Sequence, residues 1–208
     1  MFPMPERDQI FHIYNQGNNR QKLFFNRDNY LFFLHKIRKH IFPYCEILAY
    51  CLMPNHFHLM IYTTEKSEFV VTHQNDAEIS VFSDNLRIML SSYTRAINKQ
   101  ENKTGSLFRQ NTKMKNLTEI ENDHISLPGQ LGYDFYCFHY IHQNPIVAGL
   151  VKNPEDWEFS SCKDYVGKRN GTLVNKKLTM EILDLNIDEI KIQTKYFVDE
   201  RLIDFFES

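Results

Sequence analysis

The 208 residues suffice for one domain, or for one domain with an added tail, because domains most often run about 100–150 residues. Hydrophobic residues make up 42% and charged residues 24%, a balance that builds a packed core and excludes a chain disordered throughout. The formal net charge of −2 excludes nucleic-acid binding driven by bulk charge, so any such contact has to come from a local basic surface.

Cys45, Cys51, Cys137 and Cys162 form no C-x-x-C pair, which argues against a zinc ribbon or a redox motif and suits a reducing cytosol. The first residues lack a basic-then-apolar leader pattern, and no apolar run approaches the roughly 20 residues of a membrane helix. The aromatic share is high, with 17 Phe and 11 Tyr; such rings fill cores and also stack on unpaired bases.

In chain order, residues 10–14 read as a short strand and Gln16-Gly17-Asn18-Asn19 as a turn. Asp28 is the expected N-cap of a helix over 29–40 with a stripe of Leu31, Leu34 and Ile37, stopped by Pro43. Residues 44–52 and 56–62 are β-rich and joined by Met53-Pro54-Asn55, which predicts a hairpin. Residues 64–76 read as polar loop. Leu86, Met89, Leu90, Tyr93 and Ile97 predict a helix over 84–99. Gly105-Ser106-Leu107-Phe108-Arg109 reads as a turn into a short strand, and 118–132 as loop. Residues 133–143 predict a helix ending at the Asn144-Pro145 junction, since Pro disfavours helix in the residue before it. Residues 178–208 are amphipathic and acidic, expected as one or two appended helices.

This order predicts an α+β protein with a ferredoxin-like split βαβ core. The expected form is an antiparallel sheet with helices on one face, plus a C-terminal helical appendage. Such a fold hosts many activities, so function has to be argued from the site.

His56-Phe57-His58 lies inside the second hairpin strand. Strand side chains alternate, so the two imidazoles share one face while Phe57 turns to the other. Two imidazoles on one face can converge on a cation, although for the tripeptide alone two histidines on an exposed strand face is the favoured reading. Downstream, Tyr140 and Asn144 are four residues apart and share a helix face. A carboxamide oxygen there can join a metal site, and the neighbouring phenol can act as a nucleophile on phosphorus. A phenol of ordinary pKa ~10 needs nearby positive charge for that role at neutral pH. On residues alone, a core tyrosine is the favoured reading of Tyr140. His142, two residues beyond Tyr140, is expected on another face as an exposed or capping histidine, and Trp157 as a packing anchor.

Together these segments resemble the single-tyrosine HUH transposases, in particular the branch that includes the REP-associated tyrosine transposases. The resemblance is carried by His12-Ile13-Tyr14-Asn15-Gln16-Gly17-Asn18-Asn19-Arg20, by Leu52-Met53-Pro54-Asn55-His56-Phe57-His58-Leu59, and by Gly105-Ser106-Leu107-Phe108-Arg109. It continues in Tyr140-Ile141-His142-Gln143-Asn144-Pro145 with Ala148-Gly149-Leu150-Val151, and in Pro154-Glu155-Asp156-Trp157 with Ser160-Ser161. The blocks span 8–165, and their order is more specific than any one of them. The resemblance implies a transposase domain over 8–166, followed by an extension over 167–208. It implies cleavage and rejoining of single-stranded DNA at a hairpin-marked site, through a covalent 5′-phosphotyrosine on Tyr140. It also implies Mg²⁺ or Mn²⁺ held by His56, His58 and Asn144, and a cytoplasmic protein, monomer or homodimer, that sits on the bacterial nucleoid when bound to DNA. Some relatives carry Gln where this chain has Asn144, and many carry a basic residue near Ile146-Val147. Residues 116–132 are longer and more polar than the resemblance leads one to expect, and the acidic tail matches no block.

Arg20, Lys22, Arg95, Arg109, Lys113 and Lys115 fall in or beside these blocks and are the candidate DNA contacts, of which Arg109 is the strongest. Two other classes fit the residues. One is a hairpin-binding protein without catalysis. The other is a metal-dependent nuclease with water as nucleophile, which would need the histidines but not Tyr140.

Overall fold

A computed structural model describes residues 4–73, 78–119 and 132–196. The elements are β1 (Ile10–Gln16), α1 (Arg27–His40), β2 (Cys45–Met53), β3 (His56–Thr63), β4 (Val70–Thr72), β5 (Glu78–Ser80), α2 (Val81–Gln100), β6 (Lys113–Asn116), α3 (Tyr133–Val147), α4 (Cys162–Tyr165), α5 (Lys176–Ile182) and α6 (Ile187–Tyr196). The main sheet has the order β2-β3-β1-β6 with every pair antiparallel. This is the ferredoxin-like split βαβ arrangement, with β6 as its fourth strand. β4 and β5 pair antiparallel as a separate small sheet, β4 inside the stretch expected to be loop and β5 just after it.

Phe57 defines one face of the sheet. It is fully buried, with ring centroids 5.1 Å from Phe33 of α1 and 6.1 Å from Phe108. α2 completes this layer: Leu86, Met89, Leu90, Tyr93 and Ile97 are all buried, as the periodicity predicts, and Phe82 joins them because the helix begins at Val81, earlier than expected. Helices on one face thus describes α1 and α2 only, because α3 covers the opposite face. β2, flanked by both layers, has all but one of its residues buried. Along α3 every residue from Phe135 to Pro145 is buried, so no apolar stripe stands out. A helix enclosed on all sides reads that way. One side of α3 meets the sheet and another meets α6, where Ile190 is fully buried.

Several local readings are corrected. Asn26, not Asp28, caps α1, its side chain accepting the Asn29 N–H at 3.1 Å. Asp28 instead sits in the first turn, where its charge suits the helix N-terminal end. Of the expected stripe on α1, Ile37 is buried and Leu34 packs partly against the core, while Leu31 is exposed and Tyr30 and Phe33 are buried in its place. Residues 30–34 are apolar almost throughout, so two stripes offset by one residue were available. Aromatic contacts of Phe24 with Tyr30 and Phe33 select between them. The fourth sheet strand comes later than expected: Phe108 makes only an isolated bridge to Gly17 and drops into the core, and pairing with β1 begins at Lys113. α3 continues through Pro145 to Val147. Near a helix end the lost donor matters little, and the Pro145 carbonyl accepts the Leu150 N–H at 2.9 Å to close the turn.

The chain after α3 seals the outer edge of β2. The Leu52 N–H donates to the Phe159 carbonyl and the Ser161 N–H to the Tyr50 carbonyl, at 2.9 and 3.0 Å. Trp157 donates from Nε1 to the Leu52 carbonyl at 2.9 Å, the packing role expected for it. Such cover removes an exposed strand edge. Most of the 118–132 stretch and residues 197–208 lie outside the described residues.

Candidate active site

β3 turns His56 and His58 to the α3 side of the sheet, with ring centroids 5.0 Å apart. α3 brings Tyr140 and Asn144 against them from the same chain. The Tyr140 ring stands edge-on to His58, centroids 5.3 Å apart and planes at 82°. Asn144 donates from Nδ2 to the Tyr140 carbonyl at 2.9 Å, which aims its Oδ1 at His56 Nε2, 3.3 Å away. His56 Nδ1 lies 2.8 Å from Asn55 Oδ1. If His56 donates that proton to Asn55, its Nε2 presents a lone pair toward the lone pairs of Asn144 Oδ1.

Two acceptors facing each other suit a cation between them. Ligands about 2.1 Å from one ion at right angles lie about 3.0 Å apart, close to the observed spacing. His58 Nε2 is buried and has no hydrogen-bond partner among the described residues, a second acceptor available to the same ion. Among the described residues no group of three or more His, Cys, Asp and Glu could hold a metal, and the polar groups gathered here are two imidazoles and one carboxamide. Burial, then the neighbouring His56 and His12 rings, push the His58 pKa well below the usual histidine value, while the Asn144 side chain works in the opposite direction. A neutral ring is the form that ligates.

His12 and Tyr14 complete the cluster. Both lie on the same face of β1, with Tyr14 opposite His58 in the register. His12 Nε2 is 3.0 Å from His58 Nδ1, and burial with the nearby Lys115 charge lowers the His12 pKa to about 3. A cavity of about 70 Å³ opens beside the pair, lined by Tyr14, Gln16, His56, His58 and Arg109. By this measure a water needs roughly 10–15 Å³, so there is room for an ion and several oxygens.

The basic candidates divide. Arg109 borders the cavity, positioned by its N–H on the Gln16 carbonyl at 2.8 Å. Lys113 and Lys115 pair with Tyr14 and His12 and so share the imidazole face. Arg20 and Lys22 are exposed in the segment that bonds the hairpin tip: Gly17 N–H to the Asn55 carbonyl at 2.7 Å and Leu23 N–H to the Pro54 carbonyl at 2.8 Å. Gly17 is required there, because a Cβ would meet the Gln21 carbonyl oxygen at 2.1 Å. Arg95 is not brought to this site: it is exposed on α2, in the layer across the sheet, where its charge acts on Lys36 of α1.

The fold is that of a solved REP-associated tyrosine transposase. That structure, described as the REP-associated tyrosine transposase bound to a REP hairpin, aligns over 81% of this chain and 84% of its own with a TM-score of 0.53. At 19% identity the likeness to the transposase is one of fold. No family model matches the chain, and no curated protein does. Among the described residues no helix is long and apolar enough to cross a membrane.

Residue reading placed His12, Tyr14, Gln16 and Asn55 only within matching blocks and gave none of them a part in the site. Alternation along β1 does put His12, Tyr14 and Gln16 on one face. Which face that is follows only from pairing with β3. His142 is also corrected: it is fully buried, with Nε2 2.7 Å from the Ser161 hydroxyl, rather than exposed or capping.

His139 carries a pH prediction. It is buried against Thr194 of α6 at 2.9 Å, and burial lowers its pKa to about 3. In the unfolded chain a histidine titrates near 6.5, so between about 6.5 and 3 the unfolded state binds one more proton at this position. The stability from the neutral ring is complete above about 6.5 and is lost as pH falls. Urea unfolding at pH 7 and pH 5 is expected to show a drop about 2 kcal/mol smaller in His139→Gln than in the wild type.

Proposed function

We propose that the chain is a DNA strand-transfer enzyme that cuts and rejoins single-stranded DNA beside a hairpin, with Tyr140 as nucleophile. The observation that carries this reading is the meeting of Tyr140 and Asn144 from α3 with His56 and His58 from β3 in one place. The hairpin substrate is taken from the transposase of the same fold, whose structure holds a REP hairpin.

His56 Nε2, His58 Nε2 and Asn144 Oδ1 are the proposed ligands of Mg²⁺ or Mn²⁺. Bound there, the cation would withdraw charge from the scissile phosphate and orient it. Arg109, at the cavity rim, contacts a phosphate of the same strand. The Tyr140 oxygen forms a bond to phosphorus as the bond to the 3′ oxygen breaks; the phenolic proton passes to solvent, and the departing 3′ oxygen takes up a proton from solvent and leaves as a hydroxyl. One phosphodiester replaces another, so a 3′ hydroxyl can reverse the step and join strands without an outside energy source. The Tyr140 ring is buried against His12 and His58, which fixes the direction from which the phenol would attack.

The test is a denaturing gel of the purified chain with Mn²⁺ and single-stranded DNA ending in a hairpin. A covalent protein–DNA band is expected. Cleavage without an adduct would replace this reading with a water-using nuclease, and binding without cleavage would replace it with a hairpin-binding protein. Arg109→Ala is expected to weaken DNA binding and to reduce the slope of log K against log salt by about 0.7, one single-strand phosphate contact. An unchanged slope would remove Arg109 from the interface.

A further inference from the structure

A ring nitrogen can ligate a cation only through a lone pair, and an imidazole has one lone pair when neutral. The other nitrogen then carries the proton and needs an acceptor. In His56 that acceptor is Asn55 Oδ1, at 2.8 Å from Nδ1. In His58 the atom at Nδ1 is the Nε2 of His12, at 3.0 Å. The ring planes of His12 and His58 differ by only 15°, so the lone pair of one nitrogen, which lies in its ring plane, can meet the proton of the other. β1 pairs with β3 so that Tyr14 is opposite His58 and His12 opposite Met60, which places His12 diagonally across from His58 on the same face. The Tyr14 ring lies beside both imidazoles, at 5.0 and 5.8 Å, and restricts their rotation.

We infer that His12 is a positioning residue that accepts the His58 Nδ1–H, holding the Nε2 lone pair of His58 toward the bound cation. The inference rests on the reading of His56, His58 and Asn144 as the cation site. It adds a residue 46 positions away in sequence from the ligand it orients. Its arrangement matches that of Asn55 on His56, so each proposed ligand imidazole meets a partner at Nδ1, on the side of the ring away from Nε2. Such outer partners typically change metal affinity by about 10–100-fold when removed.

Two variants separate orientation from packing. His12→Phe keeps a planar ring but has no acceptor, and His12→Gln keeps an acceptor oxygen. Mn²⁺ binding is followed by loss of the free-ion electron paramagnetic resonance signal, with circular dichroism as the check on folding. A dissociation constant raised about 10–100-fold in His12→Phe and restored toward wild type in His12→Gln is expected. Wild-type affinity in His12→Phe would overturn the role of His12 and leave the cation site standing. No Mn²⁺ binding by the wild-type chain would overturn the cation site, and the role of His12 with it. Imidazole ¹⁵N spectra of the Mg²⁺-saturated wild type give a readout that survives a misfolded variant. His58 protonated at Nδ1 is expected, and His58 protonated at Nε2 would overturn the inference.

Discussion

In Tyr140→Phe the covalent protein–DNA band is expected to vanish while binding to the hairpin-ended strand persists. Phenylalanine keeps the ring that stands edge-on to His12 and His58, so the contacts that seat α3 on the sheet remain. Only the hydroxyl is lost, and with it the atom that bonds phosphorus. Removal of a nucleophile from an assembled site commonly costs about 10⁴–10⁶ in rate, so strand cleavage should fall at least 10⁴-fold. Rate and binding have to be measured on the same preparation, since a loss of both would point to the fold and not the chemistry. Cleavage at a wild-type rate in this variant would assign the nucleophile elsewhere.

The second large effect is expected from the imidazoles. His56→Ala removes a half-buried ring at the cavity edge, and a folded protein should result. His58→Ala removes a buried ring from between His12, Tyr14 and Tyr140, so it should lower stability as well. Both should weaken Mn²⁺ binding by more than the 10–100-fold typical of residues that only orient a ligand. Calorimetric titration with Mn²⁺ gives the affinity, and cleavage abolished by a chelator and restored by added Mn²⁺ gives the link to activity. Full cleavage by His56→Ala in the presence of chelator would end the cation reading.

The two halves of the proposed site were readable because each is local. Two-residue spacing on a strand puts His56 and His58 together, and four-residue spacing on a helix does the same for Tyr140 and Asn144. The order of elements, the hairpin at Met53-Pro54-Asn55 and the α2 stripe were readable for the same reason. Where a segment was apolar nearly throughout, the pattern failed. Residues 30–34 offered α1 two stripes, and the composition of α3 offered none because that helix is buried all round.

What local spacing could not supply is the meeting of segments far apart in the chain. That Lys113 and not Phe108 begins the fourth sheet strand depends on Phe108 filling the core beneath α1. That α3 crosses the face opposite α1 and α2 places the phenol beside the imidazoles, and a slip of one residue between β1 and β3 would have turned His12 away from them. The chain's own periodicities specify which side chains travel together on an element. Which elements face one another, and at what register, is settled by burial and hydrogen bonding summed over the whole molecule, and no single segment carries that information.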